Sequence, residues 1–238
     1  MHKTFQEAER FMGDFLTRLP RQVECRVLLA PSFPLLIPMA YWAKGSIVEI
    51  GAQNIHDQEE GAFTGEVSAR LVKEIGANFT LVGHSERRHL FQESSAWIHK
   101  KVKTALSLSL QPILCIGETL AEREKGLTET VLANQLLEAV ANLSQEEMLR
   151  VVIAYGPVWA IGTGKLATPE IAQEAHLFCR SQIAEKWGEA TALRIPILYG
   201  GSVKGDAMKG LMAQKDIDGV LVGGASLSPE SFLQIIQY

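Results

Sequence analysis

Seven short apolar runs alternate with helical patterns along nearly the whole chain. The runs are four to six residues long and bounded by glycine, proline or polar residues, as is typical of strands buried in a parallel sheet. The alternation predicts one α/β domain over residues 1–238, with no linker or low-complexity segment. The runs lie at residues 27–30, 47–52, 79–83, 113–117, 151–154, 197–200 and 220–223, and the helical patterns at 5–19, 35–44, 66–75, 94–108, 121–142, 169–187, 206–214 and 229–236.

Two architectures show this alternation, the closed (β/α)8 barrel and the doubly wound open sheet. In a doubly wound sheet the functional glycines gather near one switch point, whereas here glycine-bearing loops follow several strands around the chain. We therefore predict a (β/α)8 TIM barrel. Because a helical pattern precedes the first of only seven runs, we expect the first strand of that barrel to be missing from this chain.

Composition narrows the class of protein. Hydrophobic residues make up 47% of the chain and charged residues 21%, which favours a large core over disorder. A net charge of −4 argues against a nucleic acid or an anionic membrane as the main partner. The three cysteines are widely spaced and suggest neither a zinc site nor a disulfide framework. We predict a cytoplasmic protein with no metal site, no membrane span and no nucleic-acid partner.

The segment at residues 155–165, YGPVWAIGTGK, has the composition of a hinged lid. Pro157 fixes its beginning, Trp159 offers a side chain to bury, and the glycines at its far end, Gly162 among them, leave the backbone free. An ordinary βα loop can also carry these residues. Gly156 is unusual, because it ends the fifth apolar run, where a barrel enzyme places a working side chain.

Glycine-bearing loops follow the last three apolar runs. Gly162 lies after the fifth, Ser202 after the sixth in a GGS sequence, and Gly223 and Gly224 after the seventh. Loops after the last strands of a barrel point to one place, where backbone N–H groups can surround a phosphate. Each Gly-Gly pair alone also fits a simple turn. Together they predict a phosphate-binding site.

Residues 83–88, GHSERR, follow the third run directly, so His84 stands at a strand end and just before a helical turn. A helix amino terminus disfavours a second positive charge and keeps the imidazole neutral, able to donate a hydrogen bond to a carbonyl oxygen. A histidine at such a place can also be a satisfied core residue. The loop through Phe63 and Thr64 suggests an oligomer contact, although a plain surface loop fits nearly as well.

These segments, with YGGSV at 199–203 and GGAS at 223–226, resemble the triose-phosphate isomerase family over essentially the whole chain. The resemblance implies a (β/α)8 homodimer of glycolysis and gluconeogenesis. Such an enzyme interconverts dihydroxyacetone phosphate and glyceraldehyde 3-phosphate by proton transfer through an enediolate, without metal or organic cofactor.

The resemblance also implies roles for individual residues. His84 polarises the substrate carbonyl, and Glu86 supports it. The phosphate is held by Gly162, Ser202, Gly223 and Gly224. Thr64 and its neighbours reach into the partner subunit.

The sequence departs from the family at two places that touch chemistry. The family's catalytic glutamate immediately precedes the Pro-Val-Trp of the lid, and here that position is Gly156. Losing a positioned base lowers a rate by about 10²–10⁴. The family's first strand ends in Asn-x-Lys, and we expect this chain to begin after that lysine. We therefore predict an impaired isomerase; the alternative is a catalytically dead phosphate-binding or interaction protein on the same scaffold.

Overall fold

The computed structural model describes residues 1–160 and 167–238, and within them seven strands form one sheet. The strands are β1 Val27–Leu29, β2 Val48–Ala52, β3 Phe79–Val82, β4 Gln111–Ile116, β5 Val152–Tyr155, β6 Ile197–Tyr199 and β7 Gly219–Val220. They pair in chain order, and every pair is parallel. All seven apolar runs are thus confirmed as strands.

Helices separate the strands. They are α1 Phe5–Arg18, α2 Phe33–Trp42, α3 Ala69–Glu74, α4 Ser85–His89, α5 Ser95–Ser107, α6 Leu120–Glu124, α7 Thr128–Ala139, α8 Gln145–Met148, α9 Pro169–Trp187, α10 Glu189–Ala192, α11 Met208–Met212 and α12 Pro229–Ile236. Single 3₁₀ turns cover Val158–Ala160, Gly205–Ala207 and Gly224–Leu227. None of the described helices combines the length and apolar character that crossing a membrane requires.

Helix boundaries follow the capping residues of the sequence. At the start of α1, Thr4 and Glu7 form a reciprocal capping box. Thr168 and Ser228 cap α9 and α12, each followed by a proline that suits the first helical position. Capping residues act on the helix next to them and do not depend on tertiary packing. They could therefore be predicted from the sequence.

The single helix predicted over 121–142 is wrong. The structure has two helices there, α6 and α7, separated at Gly126, whose φ is +70°. A right-handed helix cannot continue through that left-handed conformation, which glycine adopts readily.

The sheet curls around its own interior. The residues at its centre are Phe79, Ile113, Cys115, Val152 and Ala154, all buried. Leu28 of β1 and Leu221, which follows β7, pack against this same cluster. Residues from both ends of the strand order therefore share one interior, which is the arrangement of an α/β barrel and confirms the predicted fold.

Helix α1 joins the two ends of the sheet on the outside. In the described part of the chain, β1 and β7 are the sheet edges. Phe15 of α1 stacks on Phe232 of α12 with ring centroids 5.5 Å apart, and Phe5 lies 5.3 Å from Trp42 of α2. The helical layer is therefore continuous from α12 through α1 to α2, and Phe15 is fully buried within it.

Candidate active site

The carboxyl ends of β4 to β7 form an aligned row. The pairing register joins Ile116 to Tyr155, Tyr155 to Tyr199, and Tyr199 to Val220. Because parallel strands keep their register, the next residue on each strand falls in the next row. That row consists of Gly117, Gly156, Gly200 and Leu221.

At the three glycines of this row, the backbones of neighbouring strands approach each other closely. A Cβ on Gly117 would lie 1.9 Å from the carbonyl oxygen of Gly156, and a Cβ on Gly200 would lie 3.4 Å from the Cα of Gly156. The N–H of Gly156 donates to Ile116 at 2.9 Å, and that of Gly200 to Tyr155 at 2.6 Å. Gly156 is thus held in place by both neighbouring strands.

Gly156 has no conformational need to be glycine. Its φ is outside the left-handed region, in contrast to Gly83, whose φ is +71°. The following residue is Pro157, which restricts its predecessor to extended conformations that any residue adopts. The φ angle of Gly156 therefore does not require glycine at this position.

A pocket opens at this row. Its cavity volume is about 20 Å³. Gly117, Gly156, Gly200, Leu221 and His84 are among the residues that line it. The structure therefore brings together His84 and Gly156, which are 72 positions apart in the sequence.

His84 is positioned by the start of α4. It is the N-cap residue of that helix, and its Nδ1 accepts a hydrogen bond from the backbone N–H of Glu86 at 3.4 Å. A ring nitrogen that accepts carries no proton, so the neutral ring has its proton on Nε2. Burial lowers the pKa of His84, against the opposing effect of the Glu86 carboxylate. The imidazole is therefore a neutral hydrogen-bond donor at pH 7.

The side chain of Glu86 lies outside the pocket. It is 70% exposed, and its carboxylate is 3.7 Å from Nδ1 of His84, beyond hydrogen-bonding distance. The contact between the two residues is thus made by the Glu86 backbone.

Arg88 and Cys115 line the pocket although the sequence did not single them out. The guanidinium of Arg88 donates to the carbonyl of Gly83 at 2.8 Å and to that of Cys115 at 3.0 Å, which ties β3 to β4. Burial raises the pKa of the Cys115 thiol to about 12, so it stays protonated and unreactive at pH 7. The position of Arg88, four residues after His84, is the signal that could have indicated it.

Glu118 is a second residue that sequence reasoning missed. Its carboxylate is fully buried and accepts hydrogen bonds from the Tyr155 hydroxyl at 3.2 Å and the Trp159 indole at 2.8 Å. The backbone N–H of Val158 donates to the Glu118 carbonyl at 3.0 Å. The beginning of the predicted lid is therefore attached to the segment that follows β4. A charged residue directly after a strand end was the available signal.

Three of the predicted phosphate residues closely follow pocket-lining residues in the sequence. Ser202 is half-buried two positions after Gly200. Gly223 and Gly224 are exposed, two and three positions after Leu221, where a 3₁₀ turn begins. Gly162 falls outside the described residues, as does the glycine-rich end of the predicted lid.

Thr64 lies away from the pocket on an exposed loop. The neighbouring Phe63 is 44% exposed, and its ring is 4.2 Å from that of His56. The loop therefore presents an apolar side chain at the surface, as the sequence predicts.

Comparison with known proteins identifies the family of this chain. The family model described as triosephosphate isomerase matches residues 1–238. A triosephosphate isomerase of Solibacter usitatus is 45% identical over 238 residues, which cover 100% of this chain and 96% of that protein. The triosephosphate isomerase of Caldanaerobacter subterraneus subsp. tengcongensis is 47% identical with the same coverage. The one of Protochlamydia amoebophila is 47% identical over 236 residues, 99% of this chain and 89% of its own length.

The match spans the whole chain at an identity far above what a shared fold alone produces. The chain belongs to the triosephosphate isomerase family.

Proposed function

We propose that this protein binds a phosphorylated three-carbon sugar and interconverts its aldose and ketose forms slowly, because the base is absent. These forms are glyceraldehyde 3-phosphate and dihydroxyacetone phosphate. The observation that carries the proposal is the convergence of His84, Gly156 and the strand ends after β6 and β7 on one pocket.

His84 is the proposed electrophile. The substrate carbonyl accepts a hydrogen bond from Nε2–H, and this bond strengthens as the oxygen becomes anionic in the enediolate. The backbone N–H of Glu86 supports the ring by holding Nδ1 as an acceptor at 3.4 Å. A neutral donor suits this role because it need not give up its proton to stabilise the oxyanion.

The proposed phosphate site uses Gly162, Ser202, Gly223 and Gly224. Ser202, Gly223 and Gly224 lie within three residues of the pocket lining, at the ends of neighbouring strands. Glycines allow a phosphate to approach the backbone N–H groups closely. The reaction needs no metal or organic cofactor, since the proposed donors are backbone amides and an imidazole.

Proton abstraction is the weak step. Among the described residues that line the pocket none is a carboxylate, and Cys115 is a protonated thiol. Glu118, which directly follows the lining residue Gly117 in the sequence, has a carboxylate that already accepts hydrogen bonds from Tyr155 and Trp159. We infer that turnover is lower by about 10²–10⁴ than it would be with a positioned base.

Calorimetry combined with turnover tests this proposal. Glycerol 3-phosphate, which cannot isomerise, should bind, while isomerisation of glyceraldehyde 3-phosphate should be measurable but slow. Binding with no turnover above the rate in buffer would favour the alternative, a phosphate-binding protein. No binding at millimolar ligand would refute both functions.

We also propose a cytoplasmic homodimer that acts in glycolysis and gluconeogenesis. The support for the dimer is the exposed loop that carries Phe63 and Thr64. Thr64→Arg should shift sedimentation toward the monomer, because a buried charge without a partner destabilises an interface. Leu177→Arg, at another exposed apolar position, is the matched control. Equal sedimentation of both variants and the unchanged protein would refute the role of Thr64.

A further inference from the structure

The lining of the pocket beside Gly156 includes a cation and a hydrogen-bond donor. Arg88 is a cation in its lining and His84 offers an N–H donor, while its described lining includes no acid. The carboxylate of Glu86 is 70% exposed, and that of Glu118 accepts hydrogen bonds from Tyr155 and Trp159. A small anion entering this space meets attraction without opposing charge from the lining.

We propose that the space beside Gly156 binds a small monocarboxylate such as formate, which then acts as an exchangeable base for the isomerisation. This inference rests on the proposed function. It adds a co-reactant of a stated chemical class and a binding place for it.

The size of the site follows from its cavity volume. The cavity lined by Gly156 measures about 20 Å³, little more than one water molecule requires. The site should therefore prefer the smallest carboxylate and weaken as bulk increases.

The proposed step balances without consuming the acid. A carboxylate oxygen takes the proton from the carbon beside the carbonyl, and the C–H electron pair forms the carbon–carbon double bond of the enediolate. His84 donates a hydrogen bond to the oxygen that gains the charge. The hydroxyl proton of the enediolate moves to the oxygen that carries the charge, and the O–H electron pair left behind forms the new carbonyl. The carboxylic acid returns its proton to the neighbouring carbon, which takes the electron pair of the double bond, and the carboxylate is regenerated.

Turnover in sodium formate, at ionic strength held constant with sodium chloride, tests the site. The rate should rise about tenfold or more and then saturate, as part of the 10²–10⁴ that a positioned base contributes. Acetate and propionate should give progressively smaller increases, although both are stronger bases than formate. Catalysis by free buffer would follow basicity instead and would not saturate.

Gly156→Glu and Gly13→Glu provide the matched pair of variants. Gly156→Glu should show no response to formate, because its own carboxylate fills the place. Gly13 is exposed in α1 with open space beside it, so Gly13→Glu should keep the full response. If formate has no effect while Gly156→Glu gains activity, the carboxylate site is refuted and the proposed function stands. If neither raises the rate and glycerol 3-phosphate does not bind, both proposals fail.

Discussion

His84 and Gly156 line the same pocket from two different strand ends. Each follows the end of a buried strand closely, β3 for His84 and β5 for Gly156. The His84 side holds an imidazole whose protonation is set by a backbone N–H. The Gly156 side has an equally well-held backbone, bonded to Ile116 and enclosed by Gly117 and Gly200, but it presents no side chain.

Comparing His84 with Gly156 separates two requirements of a catalytic residue, a fixed backbone and a reactive side chain. A side chain works only where the backbone beneath it is fixed, and at Gly156 the fixing contacts are present without the side chain. In the function proposed above, what is missing is therefore the side chain alone. A carboxylate supplied at this point, by mutation or from solution, should meet a site that is already organised.

A large effect is predicted for His84, measured where a base is present. In the Gly156→Glu background, His84→Gln should lower kcat by about 10²–10³, as expected for removal of one donor to a developing oxyanion. Above pH 6.5, titration of His84 should not change the activity of the Gly156→Glu variant. Activity should fall only as the pH drops through the lowered pKa of this residue. An unchanged kcat in the His84→Gln variant would remove His84 from the mechanism.

A second histidine sharpens the contrast between a working and a structural imidazole. His176 is fully buried beside Tyr155, and its Nδ1 lies 2.7 Å from the carbonyl of Ala172. Burial lowers its pKa to about 4. Because the unfolded state keeps a pKa near 6.5, it binds the proton first, and stability is lost as the pH falls from about 6.5 to about 4.

This loss should total about 3 kcal/mol in the free energy of unfolding. His176→Asn retains a donor for the Ala172 carbonyl but does not titrate, so its stability should vary less over this range. Urea unfolding at pH 7 and pH 4.5 compares the two proteins. The same loss in both would show that other groups cause the acid sensitivity.

Gly117→Ala is predicted to disturb the backbone at Gly156 and to destabilise the protein more than Gly13→Ala does. Its Cβ would lie 1.9 Å from the Gly156 carbonyl oxygen, so the end of β5 must shift. We expect a loss of about 1–3 kcal/mol in unfolding free energy, the usual range for overpacking. Gly13→Ala, in the open middle of α1, makes the same chemical change and should add up to about 1 kcal/mol. Equal effects of the two substitutions in urea unfolding would contradict the close contact.

The strands and the principal helix caps could be predicted from sequence because they depend on local composition and patterning. The break between α6 and α7 could not, since Gly126 is compatible with either a helix or a turn until packing selects its positive φ. The alignment of Gly117, Gly156 and Gly200 depends on strand register, which is fixed only by pairing. For the same reason the contact between Arg88 and the Cys115 carbonyl was hidden: it joins residues that meet only in the folded sheet.

The most direct test of this account is the rate of isomerisation by Gly156→Glu relative to the unchanged protein, with Gly13→Glu as control. Since Gly156 lines the pocket from a backbone conformation open to any residue, the new carboxylate should raise kcat by about 10²–10⁴. Gly13→Glu should leave it unchanged. A Gly156→Glu variant that folds, binds glycerol 3-phosphate and turns over no faster than its parent would contradict the claim that a missing base is what limits this enzyme.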